Sequence, residues 1–342
     1  MKEKIVKTWR GLAHELFGDS FDKSLQRHRS PYVFRGLPSD YPLLTSLDRL
    51  NHTPDKVRMI ERALFRSFRK YAYSEVPPET SEWKWLAIAQ HHGLPTRLLD
   101  WTFSPFVALH FATNDLSQMD SDGVVWCVDF IEAQKWLPAE LQELLEMEQT
   151  KAFSVEMLES KFPRIQDVET LKGRGELFAF FFEPPALDLR IVSQNGLFSF
   201  MNNPHERIDE WLRSAAADSP KLSKKIVIPK TLKWEVRDKL DSSNITERVL
   251  FPGLDGLSTW LRRWYSPRNP QQKPAPDPLA DANGSVDLDR TLEAVARGLH
   301  KLVEADRGER MAAAWTGEPT AVDRVERRRR AARLPAVPEA AA

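Results

Sequence analysis

The stretch Gln90 to Thr113, QHHGLPTRLLDWTFSPFVALHFAT, places a crowded polar turn directly before a strongly apolar helix, and few folds accommodate both. Ser104 reads as an N-cap and Pro105 as the first helical residue, because a serine oxygen accepts an orphan backbone N–H and proline has none to lose. From there Phe106, Leu109 and His110 recur at helical spacing, and Val107, Ala108, Phe111 and Ala112 widen the apolar face until little is left for water. The spacing predicts a buried helix. Upstream, His91, Arg97, Asp100 and Thr102 crowd the approach to its N-terminal end, where backbone N–H groups and the helix dipole favour anions. A phosphate-bearing ligand is the chemistry such an arrangement suits.

Composition bounds the alternatives. With 342 residues, 42% of them hydrophobic, the chain can bury a large core. Lys plus Arg and Asp plus Glu each total 49, so no net field draws the whole protein to nucleic acid or to an anionic membrane. The single cysteine, Cys127, excludes an intrachain disulfide; in the apolar run VVWCVDF it reads as a buried, inert thiol. His91 and His92 have no third ligand at convincing spacing, so no metal site is expected. The N-terminus MKEKIVKTWRGL has no apolar signal core, no apolar run has spanning length, and the expected location is the cytoplasm, away from membranes.

Along the chain, a short charged helix ends near Phe17 and PYVFRGL, Pro31 to Leu37, reads as a strand. A helix opens at Thr53-Pro54 and carries Val57, Ile60, Leu64, Phe68 and Tyr71, and a second runs from Ser81 to His91. Strands are expected at Val124 to Phe130, Leu177 to Phe182 and Lys225 to Ile228, and helices over the acidic stretch Glu132 to Lys161, at Pro204 to Arg213 and at Leu232 to Leu240. Leu189 to Phe200 reads as two strands about a turn at Asn195-Gly196. FPGLDGLSTWLRRW reads as a loop leading into a closing helix. The pattern predicts an α+β domain over residues 1–265. A Pro-rich linker over 266–285 follows, then a tail over 286–342 holding one amphipathic helix, Val286 to Glu304, and the basic run Arg327 to Arg330.

Phe34-Arg35-Gly36, the block from Ala89 to Ala112, and LFPGLDGL from Leu250 to Leu257 together resemble the FRG-domain family, with RIVSQNGLF, Arg190 to Phe198, as a further matching segment. The resemblance extends from Lys23 to Trp264. The FRG family is in turn similar to the ADP-ribosyltransferase fold through an order of motifs: a first-strand arginine, a polar strand end leading into an alanine/phenylalanine helix, then a catalytic acid. Arg35, Asp100 to Ser104 before Val107 to Ala112, and Gln194 follow that order, with an uncharged glutamine at the acid's place.

The resemblance implies a split mixed sheet flanked by helices, NAD as substrate, and ADP-ribosyl transfer to a protein or nucleic-acid acceptor or hydrolysis of NAD. By analogy it also implies a toxin-like or anti-phage role, with an antitoxin or other partner engaging the C-terminal helix. Arg35, Gly36, Arg97, Thr102 and Ser104 are the expected NAD-holding residues, and Gln194, Asp100 and His91 the expected catalytic ones. Arg35, Asp100, Thr102 and Gln194 are expected to converge on one cleft. The chemistry suits these residue types: guanidinium forks phosphate, hydroxyls hold ribose, and a carboxylate stabilises an oxocarbenium ion. Each residue also has a plain structural use. Arg35 suits a pairing with Asp100, Asp100 and Ser104 suit helix caps, Arg97 suits turn carbonyls and Gln194 suits a turn. A pocket without turnover, used as a ligand- or partner-binding module, is the competing class, and nucleic-acid binding by the arginine-rich tail is a third.

Overall fold

The computed structural model describes residues 2–23, 25–77 and 80–267. The expected linker and tail lie, from residue 268 onward, outside the described residues. Strands are β1 (Lys2–Ile5), β2 (Phe21–Asp22), β3 (Arg27–His28), β4 (Tyr32–Leu37), β5 (Leu99–Thr102), β6 (Gly123–Asp129), β7 (Phe153–Ser154), β8 (Ala179–Glu183), β9 (Gly196–Met201) and β10 (Ser223–Ile228). Helices are α1 (Trp9–Phe17), α2 (Pro54–Tyr71), α3 (Glu82–His91), α4 (Pro105–Thr113), α5 (Phe130–Ala133), α6 (Ala139–Met147), α7 (Val155–Lys161), α8 (Ile165–Glu169), α9 (Leu189–Gln194), α10 (Ile208–Ala215), α11 (Lys230–Ser242), α12 (Glu247–Leu250) and α13 (Leu254–Trp264). The fold is α+β, with a mixed sheet ordered β1-β10-β6-β4-β5-β9-β8-β7 and helices on both faces.

The two halves of that sheet join weakly. β4 pairs with β6 along all six of its residues, and β5 pairs with β9 along all four of its own, yet β4 meets β5 at Phe34↔Thr102 alone. One face of the whole sheet, with Val33, Trp101, Trp126 and Leu197, packs on Ile208, Trp211 and Leu212 of α10. The opposite face divides. Phe34, Val125 and Cys127 face α1, α4 and α11, whereas Phe180, Phe182, Phe198 and Phe200 surround Trp83 of α3 and meet α6 and α7. Trp83 is fully buried and its Nε1–H donates to the Phe162 carbonyl at 2.8 Å, which satisfies the indole's one polar group.

Local sequence explains most boundaries. Ser104 Oγ accepts from Val107 N at 3.4 Å, Pro105 opens α4, and Val107, Ala108, Leu109, His110 and Ala112 are buried. Gly36 is required by close approach, because a Cβ there would overlap the Ala108 carbonyl of α4. Just after β4, the buried Lys233 donates to the carbonyls of Pro38 (2.8 Å), Gln118 (2.7 Å) and Ser121 (3.1 Å) and fixes the chain's exit; burial lowers its pKa to about 8. Cys127 is fully buried in β6, and desolvation pushes its thiol up to about 12.

Three expectations need correction. Leu189 to Gln194 is a helix rather than a strand: Asp188 Oδ1 caps it from Ile191 N at 3.0 Å, and Asn195 ends it at φ +47°, so the caps override the β-branched run. Glu132 to Lys161 is not one helix, because Pro138 cannot continue α5 and β7 intervenes before α7. The N-terminal residues Lys2–Ile5 form a strand parallel to β10 whose four residues are all exposed, which left no alternation to read.

His110 lies at 0% exposure beneath a charged network. Arg237 Nη1 donates to its Nδ1 at 3.0 Å, which assigns the proton to Nε2, and Arg263 bridges Glu247 and Asp241 at 2.6–2.8 Å. Burial, and then the neighbouring Arg237, push the imidazole from its ordinary value near 6.5 down to about 3. The unfolded chain therefore binds a proton that the folded chain refuses. Stability is intact above pH ~6.5 and declines by up to about 1.4 kcal/mol per pH unit as the pH falls below that value. Thermal melts between pH 7 and 5 should show this decline, and it should be shallower in His110→Gln; equal slopes would show that His110 carries no part of it.

Candidate functional site

Asp100 and Thr102, two residues apart on β5, share one face of the sheet, and each is held by groups distant in sequence. Gln90, near the end of α3, donates from Nε2 to both Asp100 carboxylate oxygens at 3.1 and 3.2 Å, while its Oε1 accepts from Thr96 Oγ1 at 2.5 Å. Arg35 Nη1 donates to the Asp100 carbonyl at 2.5 Å and stands 3.9 Å from Oδ2. The Phe34↔Thr102 pair sets the register, so the Arg35 side chain leaves β4 on the other face from Thr102 and reaches Asp100 where the strands part. Burial lowers the pKa of this guanidinium, and Asp100 partly restores it. The two charges differ in access: the Arg35 side chain is 17% exposed and that of Asp100 is 62%.

Thr102 Oγ1 donates to the Gln194 carbonyl at 2.7 Å and accepts from Ser104 N at 3.0 Å, so one hydroxyl joins the end of α9 to the start of α4. The Gln194 amide donates to the Leu250 carbonyl at 3.0 Å. His91 Nε2 lies 2.9 Å from Asp188 Oδ2, the other oxygen of the residue that caps α9. Gln90, His91, Asp100, Arg190, Gln194 and Gly196 line a cavity of about 100 Å³.

The expected residues thus fall into three groups. His91, Asp100 and Gln194 line the cavity; Arg35 and Thr102 do not, so the expected convergence of four residues holds for Asp100 and Gln194 alone, with Arg35 reaching the Asp100 carbonyl from the other face and Thr102 bonding the Gln194 carbonyl. Ser104 caps α4 and Gly36 abuts its backbone, so both serve the helix. Arg97 lies apart. It is almost wholly buried, with Nε on Glu61 Oε1 at 2.7 Å and Nη2 bonded to Glu61 and, at 2.6 Å, to Glu169; these carboxylates, and no turn carbonyl, take its charge. Burial opposes that charge and the two carboxylates outweigh it, so its pKa is raised.

Sequence reading missed Gln90, Asp188 and Arg190. Gln90 stood beside the His-His pair and carried no charge to single it out; Asp188 is legible as a cap once α9 is read as a helix. Arg190 sits 5.1 Å over the Phe251 ring, so the LFPGLDGL loop meets α9 through Phe251 as well as through the Leu250 carbonyl.

Residues 30–121 match the FRG domain family, a span that includes Arg35, Gly36, Gln90, His91, Asp100, Thr102 and Ser104. Over that span the chain is similar to an FRG domain. The match stops before Gln194, which lines the cavity, and before Leu250, whose carbonyl holds the Gln194 amide. No curated protein and no solved structure matches the chain. No helix among the described residues is long and apolar enough to cross a membrane.

The geometry separates residues that serve the FRG scaffold from those free to meet a ligand. Gly36→Ala should lower stability by roughly 1–3 kcal/mol, because α4 must move off β4. Asp100→Asn, exposed and still able to accept from Gln90, should change it by less than ~0.5 kcal/mol. Chemical denaturation of both variants checks the contrast, and equal losses would place Asp100 in the scaffold.

Proposed function

We propose that the FRG cleft is an ADP-ribosyltransferase-like site that takes NAD as substrate and transfers ADP-ribose to an acceptor or to water. The observation that carries this reading is the Asp100 carboxylate: exposed in the cleft, oriented by Gln90, and set beside the cationic Arg35 at the parting of two strands. Cleavage of the nicotinamide–ribose bond sends the bonding pair out with nicotinamide and leaves positive charge on the ribose, which a fixed carboxylate stabilises. The acceptor then bonds to the ribose carbon and loses one proton.

In this reading Asp100 replaces Gln194 as the partner of the developing cation, because the Gln194 amide is uncharged and committed to the Leu250 carbonyl. Arg35 supplies positive charge for a phosphate through guanidinium N–H groups other than the one bonded to Asp100. His91, held by Asp188, orients a ribose hydroxyl. The cavity of about 100 Å³ is well below the ~300–1,000 Å³ of small-molecule sites, so only the reacting end of NAD would be enclosed. A cytoplasmic toxin or anti-phage role, with a partner protein restraining it, accords with such an activity.

Three observations favour a second reading, a non-catalytic binding module. Gln194 has no charge, the Arg35 side chain leaves from the other face of the sheet than Thr102, and the Thr102 hydroxyl has its one proton committed to the Gln194 carbonyl. Nicotinamide release from NAD by the purified protein, with and without cell lysate, separates the two. Turnover should fall at least 100-fold in Asp100→Asn with the melting temperature held. NAD binding without release would leave the module, and neither binding nor release would end the NAD reading.

A further inference from the structure

A cavity of about 900 Å³ lies away from Asp100, between α2, α3 and α8, and its wall carries a stripe of arginines. Arg58, Arg62 and Arg66 recur every four residues on α2 and so share one side of it, with Arg69 and Lys70 in the next turn. Like charges at that spacing destabilise a helix by about 0.2–0.5 kcal/mol per pair, so a helix serving packing alone gains nothing from them. Arg58 is neutralised by Glu169 at 2.5 Å, and Arg69 lies 3.9 Å from Glu82. Arg62 and Arg66 are exposed and have no ion-pair or hydrogen-bond partner among the described residues.

The acids on this cavity do not cancel the stripe. Glu61 and Glu169 are consumed by Arg97 and Arg58, Glu82 also accepts from Ile165 N at 3.0 Å, and Asp55 stands in the first turn of α2. At the base, Arg97 is 5% exposed, and its Nη1 has no hydrogen-bond partner although Nε and Nη2 are engaged. The remaining lining is aromatic and apolar except for Gln166. The Arg69 guanidinium lies 5.8 Å from the ring centroids of both Phe65 and Trp85, and Tyr73 stands at the edge, 65% exposed.

Unpaired guanidinium groups beside an arginine-covered aromatic floor, in a cavity of small-molecule size, fit a ligand that joins phosphate to a flat ring. We propose that this cavity binds a nucleotide, with its phosphates on Arg62 and Arg66 and its base on the Arg69, Phe65 and Trp85 floor. This site is distinct from the Asp100 cleft and does not depend on the function proposed for it.

Calorimetric titration of the full chain with ADP and with inorganic pyrophosphate, at low ionic strength, tests the assignment. ADP should bind saturably and at least tenfold more tightly than pyrophosphate, because only ADP carries a base. The double variant Arg62→Ala/Arg66→Ala should weaken ADP at least tenfold with an unchanged melting temperature. Absence of ADP binding by the wild type, equal binding by the double variant, or equal affinity for ADP and pyrophosphate would overturn the proposal. Binding of a single-stranded decathymidylate in the absence of ADP binding would overturn it too.

Discussion

The single pairing of Phe34 with Thr102 is the constraint on which the rest of the molecule turns. Every other junction in the main sheet is longer, and here the Arg35 side chain reaches from β4 to the β5 backbone where the strands part. Where strands separate, their N–H and C=O groups lose ladder partners and need others. Arg35 supplies one by donating to the Asp100 carbonyl, and Thr102 supplies another by receiving Ser104 N. The parting therefore brings a guanidinium, a carboxylate, a hydroxyl and a helix start into one neighbourhood for reasons of backbone satisfaction. Polar groups gathered in that way are available to a ligand at little further cost, which is how a structural device and a binding site come to share residues.

Sequence legibility followed the same physics. The α4 cap, its burial, the FRG strand and α2 were readable because each rests on local chemistry: Ser104 before Pro105, an all-round apolar helix, and a 3.6-residue period. Arg97 was misassigned because its position beside Asp100 in sequence says nothing of direction; its partners, Glu61 and Glu169, come from helices 36 residues before it and far after it. The helix α9 was misread because IVS has β propensity, and six residues offer too little periodicity to outweigh it. Gly36 was legible as a glycine that mattered, but only the packing of α4 shows what it meets.

Charge is distributed unequally between the two cavities, and the difference bears on what each can do. In the Asp100 cleft the carboxylate is accessible and the Arg35 guanidinium beside it is nearly enclosed, while the exposed Arg190 stands on the same cavity. Along α2 the order is reversed, with carboxylates consumed low in the cavity and guanidinium groups standing free above them. An accessible carboxylate stabilises developing positive charge, whereas accessible guanidinium groups hold a stable anion, so the first arrangement suits a transition state and the second a ground state.

The family match over residues 30–121 does not coincide with a unit that closes its own backbone. Within that span β4 and β5 share one residue pair, while the six pairs of β4 with β6 and the four of β5 with β9 all require strands that begin at Gly123 or later. Deprived of these partners, β4 and β5 would both be unpaired edges, and the apolar face of α4 would lose the α11 residues Leu232, Val236 and Leu240 that share its cluster. The charged network around His110 extends the dependence, because Arg237, Glu247 and Arg263 all come from helices in the last 40 residues of the described chain. That network anchors α12, whose Leu250 carbonyl holds Gln194, whose own carbonyl holds Thr102. Thr102, the β5 partner of Phe34, is therefore positioned from the C-terminal side of the chain, through the backbone carbonyls of Gln194 and Leu250, which lie in the later motifs RIVSQNGLF and LFPGLDGL.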